Sequence, residues 1–570
     1  MWKSTVPFMT NCKMNFRLYA IAAAFLCCLS CVSVNDKLGG SLIPTDQTYS
    51  IFTRDSLYLK EIQMKMADSL SGFSQTRITI GAIRDELYGL TTRSAAFALV
   101  PMIDDYESTD PLFGNSPVFK SFHFAAAADS GSVAATEQAS ILQNIRVYPL
   151  EKAIDAAKDY DCNSTVPHSD NIISQGVPVY GQGDSLSFNF TREFGEKYLQ
   201  MTRSDLKDIK TFTSKFPGIF LETEYPKSLG GRINIFQLQL NYDKQYNSIA
   251  GNYAELKYSA EFNGERKDTS MLFYYGASKL FDLDSLFRSS ATGEFPQYSL
   301  NMTGHETKGS SGAAKDKIFI EGGGGLKPMV SASYLKKLAE DEIIKAGGKP
   351  GEAVINKATL VFPFEFPADY KEVDDLWPEI LSPTCKIRLA DNRVTFMGLT
   401  DSSSSSENQG DINRSRFIFA PDITYHLQEI LKIDESKQDS EKAKKLKRGE
   451  YDIWLLIMHN EIITTTTEGN NDMSEYYNYL AYQSYYNSMY GGYGGYGGYG
   501  GYGGYGDYYS NYYSYMMMAQ YAGQSQTNQS ISVQLDKDRY YKAVLNGPEY
   551  PRVGLRPRLE LTFSLPDTVF

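Results

Sequence analysis

Five histidines, His123, His168, His305, His426 and His459, are the side chains of this 570-residue chain that titrate nearest neutral pH. Acid–base catalysis or metal binding would start from them. No two stand four residues apart and H-E-x-x-H does not occur, so a helical zinc site is not encoded. His123 (Ser-Phe-His-Phe) and His459 (Ile-Met-His-Asn) sit beside strand-like segments and read as structural, hydrogen-bonded histidines. His426 falls in a segment that can be helical but has no second histidine on its face. There is no G-x-S-x-G nucleophile elbow. The acidic pairs Asp104-Asp105 and Asp374-Asp375 lack calcium-loop spacing. A glycosidase needs two carboxylates about 5–10 Å apart, a tertiary property to which nothing in the sequence points.

Two glycine clusters imitate phosphate loops. Gly492, Gly494 and Gly497 spell G-x-G-x-x-G, but they repeat without the strand and helix that would place pyrophosphate at a helix N-terminus. Gly322–Gly325 follows a strand at Ile318–Ile320, yet no G-K-[ST] comes after it. The expectation there is a tight turn or a close backbone approach. Neither cluster calls for a cofactor, and none is expected. Of six cysteines, only Cys162 and Cys385 lie far from the N-terminus, 223 positions apart. They could pair or stay as two free thiols, and spacing does not choose. Without a C-x-x-C in the body, a zinc ribbon or thioredoxin-like site is not supported.

The remaining chemistry is an address. Residues 1–30 hold Lys3, Lys13 and Arg17 and no acidic residue. Leu18–Leu29 (LYAIAAAFLCCL) is an uncharged apolar stretch of 12 residues, short of the about 20 that span a bilayer. It fits the h-region of a signal peptide, and Met14 gives a start of more usual proportions than Met1. Ser30-Cys31 directly afterwards resembles a bacterial lipobox, in which the cysteine thiol is acylated and becomes the new N-terminus. Cys28 stands where that motif usually has Leu. The alternative is an ordinary secretory signal with incidental cysteines. Two or three acyl chains at Cys31 would anchor the protein stably, at about 0.8 kcal/mol per buried methylene.

The elements that would position any site read mostly as strands. Ala254, Leu256, Tyr258, Ala260 and Phe262 alternate with mostly polar neighbours, as do Val553, Leu555, Leu559, Leu561, Phe563 and Leu565. Pro557 in the latter run suggests an edge strand or a bulge. Ala358–Phe366 and Ile453–Met458 are apolar enough for strands buried on both faces. Ile233–Leu240 shifts phase at Ile235-Phe236, as a bulge would. The clearest helix is Tyr334–Ala346, with Ser333 as its cap and Gly347-Gly348 as its stop. Thr191–Thr213 and Asp422–Lys447 are weaker candidates. The mixed charge run Asp434–Glu450 reads as a solvated helix or loop. Strands without βαβ alternation predict a mainly β protein, a β-sandwich (jelly-roll-like) body with a few helices.

Residues 471–530 break the pattern. They hold 18 of the 42 tyrosines, and Tyr490, Tyr493, Tyr496, Tyr499, Tyr502 and Tyr505 recur every third residue between glycine pairs. Gly-Gly spacers cost too much entropy for a packed element, so the tract reads as a disordered, Tyr/Gly-rich low-complexity insertion in a surface loop. The plainer reading gives it no dedicated role. The sharper one makes the rings adhesive, stacking on sugars, aromatics or each other. The domain plan is then a signal peptide at 1–30, a β-rich body at 31–470, the insertion at 471–530, and C-terminal strands at 531–570 completing the body.

Net charge is −12, with 22% charged and 13% aromatic residues. So many aromatics exclude a disordered acidic chain. The negative sign argues against a nucleic-acid partner, which needs a basic face.

Three segments together resemble a family of Bacteroidota lipoproteins catalogued as domain of unknown function 4270. They are Leu38-Gly39-Gly40-Ser41-Leu42-Ile43-Pro44 after Asn35-Asp36; Ile80-Gly81-Ala82-Ile83-Arg84-Asp85-Glu86-Leu87-Tyr88-Gly89; and Ile318–Gly322 followed by Val354-Ile355-Asn356-Lys357-Ala358-Thr359-Leu360. The resemblance spans most of residues 31–570 and carries no established catalytic residues. It implies acylation of Cys31. Acidic residues after that cysteine signal surface export in this phylum, and here Asp36 alone is acidic; Val32, not Asp, follows Cys31, so inner-membrane retention is not indicated. The phylum also O-glycosylates D-[ST]-apolar sites, which would include Ser56, Ser69, Ser185 and Ser285 in four Asp-Ser-Leu copies, with Asp567-Thr568-Val569 besides. The alternative is that Asp-Ser begins strands or turns.

The expected function is a non-enzymatic outer-membrane lipoprotein facing the cell exterior and serving binding or envelope assembly. Second comes an accessory subunit of an outer-membrane β-barrel export or assembly machine. Third is a carbohydrate-binding or carbohydrate-active surface protein. Expected partners are the membrane through the lipid anchor and a barrel protein or surface glycan.

Overall fold

The computed structural model describes residues 49–466 and 527–566, apart from residues 75, 104–107, 130–132, 135–141, 155–159, 182, 208, 239, 244–247, 277–296, 307–310, 369–370, 390–391, 402–409 and 438. The fold is mainly β, 49% strand and 16% helix, with curled, barrel-like sheets in a sandwich-like arrangement. Alternating and doubly apolar segments build two large cores.

The first core is enclosed by a 13-stranded sheet that includes Arg77–Asp85, Gly89–Pro101, Asn115–Ala127, Gly230–Gln237, Ala254–Phe262, Glu265–Gly276 and Ser299–His305. Its interior is aromatic: Phe97, Phe122, Phe124, Phe190, Tyr198 and Tyr275 are all buried. Phe124 stacks on Tyr275 with centroids 5.0 Å apart, and Phe122 tilts against Phe190 at 4.8 Å. Ala254–Phe262 forms a strand as its alternation predicts and turns into Glu265–Gly276 through Asn263-Gly264, both at positive φ, the pair a two-residue hairpin turn favours.

The second core lies under a five-stranded sheet (Tyr49–Tyr58, Val354–Pro363, Arg558–Pro566 and two short strands) and a seven-stranded one containing Leu326–Val330, Ile380–Arg388, Ile453–Thr466 and Thr527–Leu535. Helices Ala332–Lys345 and Thr424–Leu431 contribute Leu335, Ala339, Ile343, Leu427 and Ile430 to it. Tyr49–Tyr58 pairs with Arg558–Pro566, so the two ends of the described chain close one sheet.

Several local expectations are corrected. Ile233–Phe236 carries no bulge. The strand Gly230–Gln237 pairs in unbroken register with Arg77–Asp85, and its apolar run changes phase because both faces are buried. Pro557 lies outside the last strand, which starts at Arg558 and runs between two neighbours rather than at an edge; Val553–Leu555 is a single 3-10 turn. The apolar run at Ala358–Phe366 is a strand over Val354–Pro363 only. The helix begins at Ala332, with Ser333 inside it. Its first amide is capped by the Asp452 carboxylate at 2.9 Å, a partner 120 residues away that no local pattern reveals. Gly347, at φ +86°, does end it. Thr191–Thr213 resolves into Arg192–Leu199, capped by Thr191, then Ile209–Lys215. Asp422–Lys447 splits into Thr424–Leu431 and Glu441–Lys447. The strand at Ile453 runs past Met458 to Thr466 and pairs there with Thr527, so the two described strands flanking the Tyr/Gly tract form one hairpin.

Candidate functional site

The charged residues that the sequence reading passed over converge between the two cores. Arg93 and Thr303 lie opposite each other on neighbouring strands, and His305 follows two residues on, facing Thr91. From the other side come Glu321, at the end of Lys317–Glu321, and Lys327, on Leu326–Val330. The turn between those two strands is Gly322–Gly325, and its glycines allow the approach. A Cβ at Gly322 would lie 2.6 Å from the Arg539 carbonyl oxygen, and one at Gly324 would lie 2.6 Å from Cys162 Sγ. Gly323 sits at φ +55°, where a side chain is strained, with Arg93 Nη2 against it. The close backbone approach expected of this cluster is what the structure contains.

Lys327 donates from Nζ to the carbonyls of Glu321, Gly323 (3.0 Å) and Gly325 (3.4 Å). Glu321 Oε2 accepts the Leu326 amide at 3.0 Å, and Oε1 lies 3.5 Å from His305 Nδ1. The loop Asp536–Tyr541 closes the cluster. Asp536 accepts the amides of Asp538 and Arg539 and the Tyr541 hydroxyl. Asp538 accepts Ser74 Oγ at 3.1 Å and Asn301 Nδ2 at 3.0 Å. Lys537 donates to the Ser71 and Phe73 carbonyls. This loop follows the strand Thr527–Leu535 directly in sequence and ties strands from both halves.

Burial sets the charge states. It pushes Lys327 down to about 8, against the pull of Glu321, and Cys162 up to about 11. His305 is held below its ordinary value by burial, with Arg93 and Lys327 adding repulsion. Burial works against ionisation of Glu321, but His305, the Leu326 amide and Lys327 together outweigh it and keep the carboxyl below its usual range. Cys162, His305 and Glu321 are the residue types of a nucleophile, a base and an orienting acid. Here, however, the thiol is protonated at neutral pH, the opposite of an activated nucleophile, and all three are sealed from solvent. What the arrangement does chemically is brace one core against the other.

The other histidines have structural partners. His123 Nδ1 contacts Asn189 Oδ1 at 3.0 Å, His426 Nε2 contacts the Tyr451 carbonyl at 2.9 Å, His168 stacks between Tyr148 and Phe220, and His459 Nδ1 lies 3.5 Å from Glu379 Oε2. Burial holds His426, like His305, below the ordinary 6.5. The unfolded chain therefore binds protons at these positions before the folded chain does. Their stabilising effect is complete above pH 6.5 and declines as pH falls below it, by up to about 1.4 kcal/mol per pH unit for each group. Asp401 and Asp452, raised by burial, act in the opposite sense nearer their ordinary 3.8. Urea midpoints should thus fall from about pH 7 to 5, and a flat profile there would exclude the two histidines as the cause.

Cys162 and Cys385 are both free, buried thiols, which decides between the two alternatives. Ser56 and Ser185 are exposed, and Ser69 is half-buried. Asp55-Ser56 forms the bulge of its strand, Asp68-Ser69 a turn, and Ser185 opens a strand at a sheet edge. In each the Leu turns inward, with Leu70 and Leu186 fully buried. Cys31, Ser285, Thr568 and the six tyrosines Tyr490 to Tyr505 lie outside the described residues.

Sequence reasoning missed Arg93, Glu321, Lys327, Asp536 and Asp538. The available signal was a charged residue inside an otherwise apolar or small-residue strand, as with Arg93 in Leu90–Val100. Among the described residues no group of three or more His, Cys, Asp and Glu could hold a metal, and no helix is long and apolar enough to cross a membrane. No family model, no curated protein and no solved structure matches the chain, so what it does has to be read from its own residues.

Proposed function

We propose that this chain is a non-enzymatic lipoprotein of an outer membrane, anchored through Cys31, facing the cell exterior and serving binding or envelope assembly. The observation that carries the reading is Leu18–Leu29, a 12-residue apolar stretch followed at once by Ser30-Cys31. The resemblance to the Bacteroidota lipoprotein family supports it, as do the outward-facing Ser56 and Ser185 as glycan acceptors. Fractionation and protease shaving of intact cells, comparing wild type with Cys31→Ala, test it. The wild-type body is expected in the membrane fraction and open to protease, and the variant in the soluble fraction. Unchanged membrane attachment of Cys31→Ala would overturn the anchor. A defined β-barrel co-purifying with the wild type would specify assembly as the role.

One feature favours glycan binding as a second reading. The turn Arg414–Phe417 holds Phe417 at φ +55°, a costly conformation for a bulky residue, and leaves its ring 45% exposed. Phe366 stands edge-on to it at 5.5 Å, over buried Phe364. Paired exposed rings of this kind suit the apolar face of a sugar. Phe417→Gly should keep the fold, since glycine adopts that φ freely, and should abolish glycan-array binding. Binding that survives the substitution would remove this patch from consideration.

A further inference from the structure

Arg93 is only 2% exposed and makes no ion pair among the described residues: Nη1 donates weakly to the Thr92 carbonyl at 3.4 Å, and Nε and Nη2 have no hydrogen-bond partner among them. A guanidinium does not escape such a position by losing its proton, and a buried charge without a partner is strongly disfavoured. The carboxylates that act on it, Asp538 and Glu321, do so without forming an ion pair: Asp538 is bonded to Ser74 and Asn301, and Glu321 accepts the Leu326 amide through Oε2, while its Oε1 lies 3.5 Å from His305 Nδ1 without a hydrogen bond. Lys327 adds a second positive charge nearby. Against the Arg93 guanidinium lies the buried turn Gly322–Gly325. Gly325 donates to the Gly322 carbonyl and Gly322 to the Tyr541 carbonyl, whereas the amides of Gly323 and Gly324 have no partner among the described residues. Successive free amides at a left-handed residue are the element from which anion nests are built. Among the described residues both His305 ring nitrogens are also without a hydrogen bond, Nδ1 lying 3.5 Å from Glu321 Oε1.

We propose that a small monovalent anion of the halide class is bound between the Arg93 guanidinium and the amides of Gly323 and Gly324, as a structural counter-ion of the brace between the two cores. Its donors are a permanent cation and backbone N–H groups, and the glycines place the main chain close enough to serve. This site is independent of the lipid anchor, so it stands or falls separately from the function proposed above.

The probe is bromide, used on the wild-type protein. Crystals grown without halide are soaked in sodium bromide, and data are collected at the bromine edge. An anomalous peak within about 3.5 Å of the Arg93 guanidinium is expected. In solution, the urea midpoint should rise saturably with sodium bromide and not with sodium gluconate at equal ionic strength, gluconate being too large to enter. A water, or a direct Arg93–Glu321 pair, at that position without anomalous signal would overturn the proposal. So would identical midpoints in the two salts.

Discussion

Glu321→Gln is expected to destabilise the protein by about 3 kcal/mol, the scale of breaking a buried ion pair by removing one partner. The substitution keeps the size of the side chain and removes its charge. Lys327, fully enclosed and held by three carbonyls, loses the carboxylate that sustains its ammonium. Arg93 loses one of the two carboxylates that act on it. His305 loses its one acidic contact. Lys327 should then deprotonate below the value of about 8 that it holds with Glu321 present. Urea denaturation at neutral pH reads the effect. A loss under about 1 kcal/mol would mean that the cluster is loosely coupled or hydrated, and that the brace is not electrostatic.

Gly322→Val should cost a similar amount, about 3 kcal/mol, by a different route. A Cβ there meets main chain on the facing loop, the Arg539 carbonyl oxygen at 2.6 Å and the Tyr541 amide nitrogen at 2.8 Å. Backbone cannot rotate away as a long side chain can, so the loop Asp536–Tyr541 must move. It would carry with it the hydrogen bonds of Asp538 to Ser74 and Asn301. Gly351→Val is the control: a Cβ at Gly351 has nothing within 4 Å, and its thermal midpoint should stay near wild type. Equal midpoints for the two variants would show that the turn yields, and that Gly322 is not there for close approach.

The mainly β fold class was legible in the letters alone, and so was the pattern from which a lipid anchor is proposed. Period-two alternation at Ala254–Phe262 is a local property, because successive side chains of a strand face opposite ways whatever the strand pairs with. The apolar stretch before Cys31 and the missing metal and nucleophile motifs are likewise legible in a few adjacent letters. Alternation fails as a guide where both faces are covered, which is why Ile233–Phe236 imitates a bulge, whereas Pro557 seemed to mark an edge because nothing local shows that the strand starts just after it. Caps supplied from afar are equally silent, as with Asp452 at the start of Ala332–Lys345. The brace is the extreme case. Arg93, Cys162, His305, Glu321 and Asp538 span most of the described chain, and each reads alone as an unremarkable polar residue. Only the antiparallel pairing that sets Thr303 against Arg93, and the folding of Asp536–Tyr541 onto Gly322–Gly325, removes them from water together. Desolvation then turns ordinary charges into a coupled site, because a charge's energy depends on what surrounds it in space and not on its neighbours along the chain.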